Sequence, residues 1–128
     1  MHDEVSRLVL GTAQWGSAYG VTNARGALSD ADVAAVVEEA LARGVTMADT
    51  HRTADPAHGY GRALSRLRPW ASRFRITTKV FGGSTADLPA LAQLEATLEG
   101  LGAPSVHACL PPSELRCALY LRSYGILL

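Results

Sequence analysis

Apolar and polar positions follow two rhythms along this chain, and the switches between them mark its elements. Between Ser29 and Gly44 the apolar residues Val33, Val36, Val37, Ala40 and Leu41 recur at helical spacing, while Glu38, Glu39 and Arg43 lie off that face. This predicts one helix with a single buried stripe. Ser29 stands where an N-cap hydroxyl belongs, Asp32 lies at the third helical position, and Gly44 occupies the place of a C-terminal glycine. Val45 to Ala48 follows at once, apolar except for Thr46, and runs into the carboxylate of Asp49. A short apolar run directly after a helix predicts a buried strand, with Asp49 at its C-terminal mouth.

The same alternation extends to both sides. Arg7 to Thr12 reads as a strand, and its Gly11 is expected where backbone approaches a neighbour closely. Ala13 to Leu28 is glycine-containing and has no period; it predicts a long loop in which Trp15 and Tyr19 cover a mouth. A short helix is expected from about Tyr60 to Leu67, stopped by Pro69, and then a strand from Phe74 to Val80 that carries Lys79. Asp87 is placed to cap a further helix with Pro89 in its first turn. Leu88, Leu91, Leu94, Leu98 and Leu101 form its expected stripe, and Gly102 closes it. Ser105 to Leu110 is the fourth strand, Pro111 and Pro112 stop it, and Ser113 to Tyr124 is the last predicted helix. Strands alternating with helices imply an α/β fold around a parallel sheet with crossover helices. Ionisable groups at strand C-termini are how a (β/α) barrel presents chemistry.

Composition narrows the function. The 128 residues fit one domain, and a formal net charge of zero gives no reason to expect nucleic acid or an anionic membrane as partner. No apolar run approaches eighteen residues, and the polar start MHDEVSR is unlike a signal peptide, so a cytoplasmic location is expected. Cys109 and Cys117 are too far apart for a CxxC pair, so no metal or redox site is expected. Neither GxGxxG nor a P-loop occurs. Of the 12 basic residues only Lys79 is a lysine. An ammonium kept at a strand end, in a chain that otherwise uses arginine, points to a compact charge of tunable pKa.

Several motifs in order resemble the aldo-keto reductases, in particular the bacterial branch with an LGTAQxG start. These are LVLGTAQWG, YGVTNARG, GVTMADT, FRITTKV and LEGLG. The resemblance runs from Arg7 to Leu110, within a single partial domain of residues 1–128, and corresponds to the N-terminal half of the family's (β/α)8 barrel. It implies reduction of a small carbonyl substrate with NADPH, less often NADH, by a tetrad of Asp, Tyr, Lys and His. By motif Asp49 matches the Asp and Lys79 the Lys, while Gly11, Thr12 and Asp49 fall near the nicotinamide end of the cofactor.

Three departures accompany that match. The position of the family's proton-donating Tyr is held by Ala54, with Tyr60 a weaker substitute, and the acidic residue that follows it falls at His58. His51 and His58 read as solvated loop histidines. The fourth strand lacks the family's terminal His, and His107 falls where the family has an Asp, which gives it a structural role. The loops that grip the cofactor's phosphates belong to the last strands of the barrel, and the tail 111–128 is unlike the family; a frame change near residues 105–110 would produce such a tail. These departures predict a chain that does not turn over by itself. The alternative is a silent half-barrel or decayed gene product that acts through its open sheet edges, on a second copy or a partner.

Overall fold

The chain builds one face of a parallel sheet against three helices, in a computed structural model that describes residues 7–51, 59–80 and 89–110. Strands β1 (Val9–Gly11), β2 (Met47–Asp49), β3 (Arg75–Lys79) and β4 (Ala108–Leu110) lie side by side in chain order, every pair parallel. Helices α1 (Asp30–Ala42), α2 (Gly59–Leu67) and α3 (Ala90–Leu101) make the connections. The strands are shorter than the apolar runs suggest. Thr46 and Phe74 end their runs outside the ladder, and the fourth strand begins only after His107, whose N–H donates to the Ile76 carbonyl at 2.8 Å.

Alternation along the strands decides which side is covered. Leu10, Ala48 and Ile76 stand in register on one side, where Ala48 and Ile76 are buried. They meet Val33 and Val37 of α1, Ala63, Leu64 and Leu67 of α2, and Leu101 of α3 in one core. The other side carries Val9, Met47, Asp49, Thr77, Lys79 and Leu110, none of which is buried. Among the described residues the sheet is therefore covered on one face.

Helix α1 forms where its sequence predicts, with Val33 and Val37 buried but Val36 of the expected stripe exposed, and the reason it forms lies at its ends. The Ser29 hydroxyl accepts from the Asp32 N–H at 3.1 Å, and the Ser29 N–H and hydroxyl both donate to the Asp32 carboxylate, at 3.3 and 2.6 Å. At the other end Gly44 takes a φ of 87°, which lets its N–H reach Leu41 and the Val45 N–H reach Ala40. Ser29→Ala is expected to destabilise the fold by about 1 kcal/mol, read as a shift of the urea midpoint. The donors from Ser29 hold the Asp32 carboxyl below its ordinary value. A depressed carboxyl stabilises the folded state above its unfolded pKa, about 3.9, and that contribution is lost as pH falls through the folded value. In Ser29→Ala the Asp32 titration should move up toward the ordinary range, which carboxyl NMR would follow.

Helix α3 differs from its expected stripe. Its buried positions are Ala90, Gln93, Thr97 and Leu101, while Leu91 is 47% exposed and Leu94 and Leu98 are half-buried. The buried face is mixed: the Thr97 hydroxyl donates to the Gln93 carbonyl at 2.9 Å, which lets a polar residue take a core position, and of the described stripe leucines only Leu101 is buried. Pro89 is the N-cap residue rather than part of the first turn. The α-helix before Pro69 ends at Leu67 as expected, and Pro69 sits at the start of the 3-10 turn that follows, Arg68–Arg73. Asp87, Leu88, Cys117 and the predicted helix Ser113 to Tyr124 lie outside the described residues.

Candidate functional site

Asp49 ends β2 and Lys79 ends β3. The register sets Asp49 beside Thr77, so Lys79, two residues further along, projects from the same face one strand over. Its ammonium donates to both carboxylate oxygens of Asp49, at 2.8 and 2.7 Å, and to the Thr50 carbonyl at 3.3 Å. Asp49 is fixed from the other side as well. The Thr12 N–H and hydroxyl, at the end of β1, donate to the Asp49 carbonyl at 3.2 and 3.1 Å. With side chains 33% and 40% exposed, the Lys79–Asp49 pair contributes only about 0–1 kcal/mol to stability. Its consequence is placement: a positive charge held at one point above the strand ends.

That point lies in a cleft of about 760 Å³ at the C-terminal mouth of the strands, shared with Gly11, Thr12, Trp15, Tyr19 and His51. Trp15 comes from a 3-10 turn, Ala13–Trp15, at the start of the loop between β1 and α1, and is 2% exposed. Tyr19, in contrast, is 55% exposed, so of the two aromatics only Trp15 is packed into the core. The loop beyond it is organised by Asn23. Its carboxamide donates to the Tyr19 and Gly26 carbonyls and accepts from the Arg25 and Gly26 N–H groups. Gly16 then meets Gly59, the first residue of α2, with so little room that a Cβ on Gly16 would lie 1.5 Å from the Gly59 carbonyl oxygen.

With this fold and geometry in place, comparison with known proteins identifies a family. Residues 7–105 match the Aldo/keto reductase family. The chain belongs to that family. Two solved structures from Pseudomonas aeruginosa, both assigned as aldo-keto reductases, share its fold. One is 24% identical with a TM-score of 0.63, over 92% of this chain and 51% of its own. The other is 22% identical with a TM-score of 0.60, over 92% of this chain and 50% of its own. The chain thus spans about half the length of these aldo-keto reductases, as a parallel α/β partial barrel. A search of curated proteins found no match.

The structure brings Gly11, Thr12, Asp49 and Lys79 together around the cleft. Gly11 is not closely approached by any described residue: a Cβ there would meet none of them within 4 Å, so the glycine leaves space among them. Ala54 and His58 lie outside the described residues, and Tyr60 belongs to α2. The His107 side chain is exposed. Burial pushes the Cys109 thiol up. Among the described residues no group of three or more His, Cys, Asp or Glu is placed to hold a metal, and no helix is long and apolar enough to cross a membrane.

Sequence reasoning missed Arg66, which is 20% exposed and joins α2 to the loop after β1. One arginine among eleven carries no mark in the sequence that would single it out. A nicotinamide cofactor fits this cleft only in part. Gly11 leaves the room a flat ring needs, and Thr12 offers a hydroxyl nearby. Among the described lining residues, however, the one Lys or Arg is Lys79, already tied to Asp49, so no second ammonium or guanidinium remains for a pyrophosphate. Among the described residues the complete dinucleotide does not fit.

Proposed function

We propose that this chain carries the Asp–Lys half of an NAD(P)H-dependent carbonyl-reducing site and does not turn over with these residues alone. The observation that supports it is the Lys79–Asp49 pair, held bidentately inside the cleft. Reducing a carbonyl requires a hydride on carbon and a proton on oxygen. Asp49 fixes the Lys79 ammonium, and that charge would favour ionisation of a neighbouring proton donor. The position that supplies the donor in the family is Ala54, which has no proton to give. A missing general acid removes a factor of roughly a hundred to ten thousand in rate.

The test is aldehyde-dependent oxidation of NADPH and NADH by the purified chain, with 4-nitrobenzaldehyde as substrate. The expected rate equals the protein-free background, and Lys79→Met is indistinguishable from wild type. Turnover by the wild type that Tyr60→Phe abolishes would overturn this reading and make Tyr60 the donor. A cytoplasmic location goes with this reading.

The bare side of the sheet favours a second reading, in which the chain acts by association with a second copy. Leu8 and Val9 are 57% and 48% exposed at one end of the sheet and Leu110 45% at the other, where β1 and β4 each lack a partner strand among the described residues. Sedimentation equilibrium across a wide concentration range should then show a reversible dimer. A monomer at every concentration removes this reading.

A further inference from the structure

We infer that Arg66 is a positioning residue of the cleft, whose guanidinium holds Trp15 and the β1–α1 loop as a fixed wall beside the Lys79–Asp49 pair. This rests on the reading of the cleft as a site for a small carbonyl compound.

Arg66 lies near the end of α2, far along the chain from everything it bonds. One terminal nitrogen, Nη1, donates to the Trp15 carbonyl and to the Leu28 carbonyl, the latter at 2.7 Å. Nε pairs with Asp30 at 2.6 Å. These acceptors mark the start of the loop, its end, and the first turn of α1. The Leu28 N–H donates to the Gln14 carbonyl at 3.0 Å, so the two ends of the loop are already joined, and Arg66 spans that junction.

The chemistry of the side chain explains why one residue can do this. A guanidinium presents donors in a rigid plane, so satisfying one acceptor pre-orients the rest, and charge-assisted bonds to carbonyls are stronger than neutral ones. An ammonium is a single point on a flexible stem. It can keep the charge near Asp30 without bridging the two carbonyls. Asp30 is exposed and Arg66 mostly covered, so the ion pair with Asp30 contributes little and the carbonyl contacts carry the placement. Trp15 belongs both to the core and to the lining of the cleft that Lys79 shares, so a shift of its backbone reshapes that lining.

The experiment uses the full chain with Trp70→Phe, which leaves Trp15 as the single indole of the two. Arg66→Met and Arg66→Lys are compared in that background by acrylamide quenching and emission maximum of Trp15, by far-UV circular dichroism, and by Trp15 quenching with 4-nitrobenzaldehyde. Arg66→Met should keep its helical signal while Trp15 quenching by acrylamide rises several-fold and its emission moves to the red. Arg66→Lys should resemble Arg66→Met in quenching, although it keeps the charge. Unchanged quenching in Arg66→Met, or full restoration by lysine, overturns the inference. If Arg66→Met does not fold, Arg66→Lys decides on the same criteria, and loss of fold in both would make Arg66 a general structural residue and overturn it too. An aldehyde that fails to quench Trp15 in the parent chain counts against the reading of the cleft alone, because the acrylamide result does not depend on it.

Discussion

Gly16→Ala is expected to destabilise the fold by about 3 kcal/mol or more, the upper range for forcing a methyl group into packed structure. The new Cβ would lie 1.5 Å from the Gly59 carbonyl oxygen, 2.6 Å from its carbon and 3.0 Å from the Ala63 nitrogen. All three are backbone atoms, so no side chain can swing aside, and α2 must move away from the loop. Backbone conformation is not the obstacle. Gly16 has φ −130° and ψ −11°, which other residues adopt. The loss is a large share of a total stability of about 5–15 kcal/mol. Gly11→Ala is the matched control: its Cβ meets none of the described residues within 4 Å, and the change should stay within about 0.5 kcal/mol. Urea unfolding of both variants checks the prediction. Equal midpoint shifts would show that the Gly16–Gly59 approach is looser than described.

Leu64→Ala should cost about 2–5 kcal/mol, the range for emptying a fully buried leucine site. Leu64 is 1% exposed, lies mid-way along α2 and meets Gly100 of α3, so its loss leaves a cavity between two helices. Leu91→Ala supplies the contrast. Leu91 belongs to the stripe that the spacing of α3 predicts, yet it is 47% exposed, and its removal should change stability by less than about 0.5 kcal/mol. Thermal unfolding separates the two. A cost for Leu91→Ala close to that of Leu64→Ala would mean that Leu91 is buried after all.

That contrast shows what the sequence made legible. Both ends of helix α1 could be read, because Ser29, Asp32 and Gly44 act within a few residues of themselves and each has a chemical reason to be there. The parallel order of the strands was legible from the alternation of apolar runs with helices, and Asp49 and Lys79 from their places at strand ends. The rotation of α3 was not legible, because periodicity locates an apolar stripe but does not foresee that Thr97 is buried with its hydroxyl satisfied by the Gln93 carbonyl four residues back. Gly11 and Gly16 look alike in the sequence, within one LGTAQWG motif, and only the fold distinguishes the glycine that opens space from the one that closes it. Arg66 was invisible for the same reason. Its partners are 51 and 38 residues away, and no local pattern records them.

The bidentate hold of Asp49 on Lys79 has an electrical consequence. Apart from His51, these two supply the ionisable charge among the described residues of the cleft, at 2.7 and 2.8 Å from each other, and they cancel at any distance much beyond that spacing. An approaching molecule therefore meets a small dipole and no net field to steer it. Neutral molecules should enter this mouth at rates that hardly vary between low and high salt, and anions should gain nothing from long-range attraction.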